Sequence, residues 1–182
     1  MKKRFLREIA LSNTHSSGFQ HACVYTKNAA ESDKKDKEAF QECFREKLVE
    51  LEQAYKNRVS EDEHIQNIQA FADQLSREFP QVLANGKMRT GVAQKAVNVH
   101  LKFLWCLEWI PEPPHCPVDK VVLGAIGNTT RWTKMDGIDP YKDIIAQIRE
   151  HIQNSGTGKS LAQWELELWN EYRRKQMSNN GV

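Results

Sequence analysis

The chain has 182 residues and carries 26 Lys and Arg against 24 Asp and Glu, a formal net charge of +2 that implies no partner by itself. With 40% hydrophobic and 27% charged residues it has an ordinary globular composition, which excludes a disordered or fibrous chain. No apolar run approaches the roughly 18 residues of a membrane span, and four scattered cysteines without a Cys-x-x-Cys pair argue against a disulfide framework, so a reducing cytoplasmic setting is expected.

Residues 1 to 34 show weak periodicity and contain the polar, turn-forming cluster Ser12 to Gly18. They read as an N-terminal arm, with His21 to Lys27 either a short strand or an ordered extension. From about Asp36 to Lys56 the pattern becomes helical, because Phe40, Cys43, Phe44, Leu48, Leu51 and Tyr55 recur at three- and four-residue steps. Ser60 followed by Glu63 is a capping box that opens a second helix. Its stripe is Ile65, Ile68, Phe71, Ala72, Leu75 and Phe79, and Pro80 marks its end.

A different segment begins at Gly91. Val92 to Leu107 bears apolar residues on nearly every face, the mark of a central helix buried by its neighbours. Pro111, Pro113, Pro114 and Pro117 impose an extended connection before a short apolar helix over Val118 to Ile126. Asp139-Pro140 opens another helix, with Tyr141, Ile144, Ile145, Ile148 and Ile152 as its stripe. Ser160 and Gln163 cap the last one, whose Leu161, Trp164, Leu168 and Trp169 read as core. The pattern predicts a mostly α protein: a compact helical domain of five to seven helices over 35 to 182, with a helix-hairpin-helix-like central element.

Chemistry concentrates around the central helix. A glycine turn feeding a helix N-terminus can present free backbone N–H groups to a phosphate. No acidic residue lies between Glu78 and Glu108, whereas Lys87, Arg89, Lys95 and Lys102 do. A patch of that kind suits phosphate contacts and salt-sensitive binding. The bland alternative is a tight turn before a core helix whose lysines face water.

Gly91-Val-Ala-Gln-Lys-Ala-Val-Asn-Val resembles the second half of the helix-hairpin-helix motif of base-excision DNA glycosylases. His115-Cys-Pro-Val-Asp-Lys-Val-Val resembles their proline-valine-aspartate segment. Arg89-Thr90 and Ala93 stand where the family's hairpin has Leu-Pro and its second glycine. The 8-oxoguanine glycosylase branch is the most similar, and the resemblance implies Lys95 as nucleophile and Asp119 as its partner. It further implies duplex DNA with a damaged base as partner, contacted through Lys87, Arg89, Gly91, Gln94 and Lys102, with Trp105 or Trp132 beside the flipped base. Neither a metal nor a cofactor is expected. The competing reading is a non-catalytic helical module that binds nucleic acid or protein.

Two other motifs have simpler explanations. Ser155 to Ser160 imitates the end of a phosphate-binding P-loop but lacks its first glycine, so a helix stop followed by a cap is expected. His115-Cys116 has no second close pair to complete a zinc site and reads as a buried thiol beside a proline turn.

Overall fold

A computed structural model describes residues 1–26 and 33–179. It is mostly helical, with seven α-helices and no strand among the described residues: α1 (Lys2–Phe19), α2 (Asp33–Leu51), α3 (Glu61–Glu78), α4 (Thr90–Cys106), α5 (Lys120–Ala125), α6 (Ile138–Asn154) and α7 (Leu161–Asn179). Among the described residues no helix is long and apolar enough to cross a membrane.

The other elements are arranged around α4. It packs against α1, α3, α6 and a 3₁₀ turn at Trp132–Lys134. Val92, Ala93, Ala96, Val97, Leu101 and Leu104 are buried on several of its faces, as an all-round apolar helix requires. The capping box of α3 forms as read, with the Ser60 side chain accepting from Glu63 N–H and Glu63 accepting from Ser60 N–H. The first turn of α6 differs slightly: its cap is Gly137, at φ 87°, two residues ahead of the Asp139-Pro140 signal.

The N-terminal segment is where the fold adds most to the sequence. Ser12 to Gly18, a turn-forming cluster by composition, lies inside α1. The buried residues of α1 are Ala10, Leu11, Thr14 and Gly18, mostly small. A Cβ placed on Gly18 would sit 3.5 Å from the Ala96 Cβ, so two small residues let α1 approach α4 closely. Buried charge also holds α1 in place: Arg7 Nη2 lies 2.9 Å from Glu52 Oε2, and His100 Nε2 of α4 lies 3.2 Å from Glu52 Oε1. After α1, Tyr25 makes an isolated antiparallel bridge with Leu83. Lys27, the last residue of the possible strand, lies outside the described residues.

Candidate active site

The first turn of α4 is closed rather than open. Gly91 N–H donates to Met135 C=O at 3.0 Å, while Val92 and Ala93 N–H both donate to Arg89 C=O at 3.0 Å. Gly137 N–H donates to the Thr90 hydroxyl at 3.1 Å. Gly91 is also pressed against the Trp132–Lys134 turn, where an added Cβ would lie 1.8 Å from the Trp132 carbonyl oxygen. The expected phosphate cradle is therefore absent here. The glycine serves close packing, and the 132–135 backbone occupies the place an anion would need.

The basic stretch is likewise engaged. Lys87 pairs with Asp136. The Arg89 guanidinium donates to the carbonyls of Ala22 and Cys23. Lys102 Nζ reaches Glu165 Oε1 at 2.8 Å and Oε2 at 3.0 Å. Gln94 is fully buried, so it cannot touch a duplex. Its Nε2 donates to Gly91 C=O at 2.9 Å and Val118 C=O at 2.7 Å, and its Oε1 accepts from Val118 N–H at 3.1 Å. Gly91 and Gln94 are thus buried within the fold, while Lys87, Arg89 and Lys102 each have a partner from this chain, Lys87 in an exposed ion pair.

Gln94 has a second consequence. By clasping the N–H and C=O of Val118, it fixes the chain immediately before Asp119 against α4, one residue from Lys95. Lys95 Nζ then donates to Asp119 Oδ2 at 3.0 Å. Asp119 Oδ1 accepts from Val121 and Val122 N–H at 2.8 and 3.2 Å, so the same carboxylate caps α5. Both side chains are largely covered, 12% and 18% exposed, so their pairing is weakly screened. The Trp132 ring lies over the ammonium, its centroid 4.6 Å from Nζ.

This pair lies in a cleft of about 510 Å³. Lys95, Val99, Lys102 and Cys106 of α4 form its floor, with Asn13 and Ser17 of α1 on one side and Glu165, Trp169 and Tyr172 of α7 on the other. Trp132 closes the end beside Lys95. Trp105 does not line the cleft and packs, partly buried, against the core. Trp169, expected in the core, is instead 42% exposed on the cleft wall. The Lys102 ammonium stands 5.3 Å from its ring centroid.

Glu165 was not legible as a site residue, though one signal pointed to it. Leu161, Trp164 and Leu168 form the apolar stripe of α7, and a charge at 165 falls on that same face. In the structure Glu165 is 3% exposed, and burial pushes its carboxyl above the usual carboxylate range despite the adjacent Lys102. The cleft therefore holds two ammonium–carboxylate pairs, their lysines two helical turns apart on α4 and their carboxylates from Asp119 and α7.

The remaining motifs resolve structurally. His115 is buried, with Nδ1 2.8 Å from the Tyr141 hydroxyl and Nε2 3.1 Å from Glu61 Oε1. The His64 and His115 rings meet edge to face at 4.7 Å. Burial holds His64 down at about 3, with His115 adding to the effect. Cys116 is fully buried and its thiol is pushed far up by desolvation, which makes it an inert core group. No cluster of three or more His, Cys, Asp or Glu suited to a metal occurs among the described residues. Ser155 to Gly158 ends α6, with Gly156 and Gly158 at positive φ, and Ser160 caps α7.

No protein family, characterised protein or solved structure matches this chain. The chemistry of the cleft rests on its own geometry.

Proposed function

We propose that the chain is a base-excision DNA glycosylase with an associated lyase step, in which Lys95 is the nucleophile and Asp119 its proton acceptor. The observation that carries this reading is the 3.0 Å contact of Lys95 Nζ with Asp119 Oδ2 on the floor of an aromatic-walled cleft. Residues 24 apart in sequence meet there with the groups an amine-based excision needs.

The chemistry follows from that contact. An attacking amine must be neutral, and the hydrogen bond to Asp119 Oδ2 gives the ammonium proton a path to a carboxylate. The nitrogen lone pair then forms a bond to the sugar C1′ while the glycosidic bond breaks and its electrons leave with the base. The C1′–O4′ bond then breaks with its electrons going to O4′, and the nitrogen lone pair forms the C=N bond of an iminium with the opened sugar. The two protons shed by the amine pass by way of Asp119 to the departing base and to O4′. Proton removal at C2′ by a carboxylate then breaks the C3′–O bond. Trp169 and Tyr172, both exposed on the cleft wall, supply flat faces against which an extruded base can stack.

Borohydride trapping tests the reading. Reduction of the iminium on duplexes with an abasic site or 8-oxoguanine should yield a covalent complex, and Lys95→Gln should abolish it. Asp119→Asn keeps an Oδ1 acceptor for the α5 cap but lacks the charge, so trapping should slow about a hundredfold or more while the fold is retained. Base release without trapping over a panel of lesions would leave a glycosylase without the lyase step.

A second reading is favoured by the internal pairing of Lys87, Arg89, Lys95 and Lys102, each with an acceptor from this chain. In that reading the chain is a non-catalytic helical binding module, and Lys95–Asp119 is an ion pair that docks α5 on α4. Neither base release nor trapping would then occur on any lesion.

A further inference from the structure

If the cleft works on DNA, the strand must be held by cations other than those of α4, because the latter are internally paired. The segment 120–134 contains Lys120, Arg131 and Lys134 and no acidic residue. All three cations are exposed, and none has a carboxylate partner among the described residues.

Lys120 and Arg131 border a second hollow of about 400 Å³, lined also by His21, Leu123 and the Asn128–Thr133 loop. It adjoins the Lys95 cleft directly, since His21, Lys120 and Trp132 line both. The loop is rigid at its start: Asn128 Oδ1 accepts from Thr130 N–H at 2.7 Å, and Asn128 Nδ2 donates to Gln147 Oε1 at 2.8 Å. Thr129, Thr130 and Thr133 have no intramolecular hydrogen bond from their hydroxyls among the described residues, so three short donors stand beside two long cations. Threonine hydroxyls interspersed with Lys and Arg are the donors that phosphate oxygens take.

We infer that this ledge, Lys120 and Arg131 with the threonines of the 127–134 loop, binds the phosphodiester backbone of the strand whose nucleotide enters the Lys95 cleft. The inference rests on the nucleic-acid reading of that cleft, yet it concerns different residues. Trp132 joins the two sites: its ring covers Lys95, and its neighbours Arg131 and Thr133 face the ledge.

The test is fluorescence anisotropy on a labelled duplex bearing a tetrahydrofuran abasic analogue, titrated at several salt concentrations. Lys120→Ala/Arg131→Ala should weaken binding roughly tenfold or more and lower the log-affinity against log-salt slope by about 2, one per lost phosphate contact. Arg58→Ala, an exposed cation outside both hollows, controls for total charge and should change the slope by much less. Equal affinity and slope for the double variant and wild type would overturn the ledge, as would no binding by wild type. Borohydride trapping on an abasic duplex separates the two claims. Trapping with an unaffected double variant keeps the catalytic reading and discards the ledge; ledge-dependent binding without trapping does the reverse. Tighter, ledge-dependent binding to an RNA duplex of the same sequence keeps the phosphate site and discards DNA as its partner.

Discussion

Gln94 and Val118 are joined by two hydrogen bonds, an amide side chain from α4 pairing with both backbone groups of a residue 24 positions later. This pairing imitates one rung of a β-ladder, made by a side chain inside a helical protein. It sets the register between α4 and the segment that carries Asp119.

Replacing Gln94 with Ala should therefore disturb both stability and the site. Val118 N–H and C=O would be left buried without partners, at a cost of about 2 to 4 kcal/mol. Urea unfolding measures the loss, and a change below about 0.5 kcal/mol would show that Val118 finds other partners. Lys95 and Asp119 should separate at the same time, so trapping should fall more steeply than the folded fraction.

Gly91→Ala tests the closed first turn of α4. Its Cβ would have to occupy the space of the Trp132 carbonyl oxygen, so the Trp132–Lys134 turn must move away from the helix. The expected destabilisation is about 3 kcal/mol or more, as for overpacking against rigid backbone. Displacement of Trp132 from Lys95 should shift the tryptophan emission. A variant with wild-type melting temperature and emission would contradict this packing.

Much of this arrangement was legible in the sequence, and the parts that were not have identifiable causes. The helices α2, α3, α4, α6 and α7 announce themselves because their buried faces are made of large apolar residues at helical spacing, and Ser60 and Ser160 mark starts that the structure retains. Helix α1 does not, since its docking face is Ala10, Thr14 and Gly18, small residues that carry little hydrophobic signal but allow a close approach to Ala96. The proximity of Lys95 and Asp119 was suggested by resemblance alone; no periodicity could yield it, because it depends on Gln94, whose role is visible only once Val118 is beside it. The basic stretch misled for the opposite reason. Charge counted along the chain takes no account of Asp136 and Glu165, which lie far away in sequence and neutralise Lys87 and Lys102.

Acid should weaken the fold through its buried histidines. In the unfolded chain His64 binds a proton near pH 6.5, whereas in the folded protein burial delays this to about 3. Between those values the unfolded state holds the extra proton, so stability is fully present above about pH 6.5 and is lost as pH falls. The slope approaches about 1.4 kcal/mol per pH unit for His64, and His115, lowered in the same direction by burial, adds to it. Urea midpoints from pH 7 to pH 5, above the carboxylate range, measure the effect. His64→Gln should flatten the curve; an unchanged slope would assign the proton uptake elsewhere.

Lys102 and Glu165 should behave as an interdependent pair. Lys102→Met leaves a carboxylate buried without its partner, costing about 2 to 4 kcal/mol at pH 8. Because burial already raises the Glu165 pKa, protonation favours the folded variant, and the deficit should shrink as pH falls through that value. Adding Glu165→Leu should restore most of the stability. If the double variant is as unstable as the single, the cost lies in packing rather than in the stranded charge.

The cleft is built from three helices far apart in sequence, with α1 on one wall and α7 on the other, over a floor from α4. A chain cut within the Ser155 to Gly158 connection would lose a wall and its buried Glu165 together, leaving Lys102 facing water. Proteolysis at that connection would therefore open the Lys95–Asp119 pair to solvent from the α7 side.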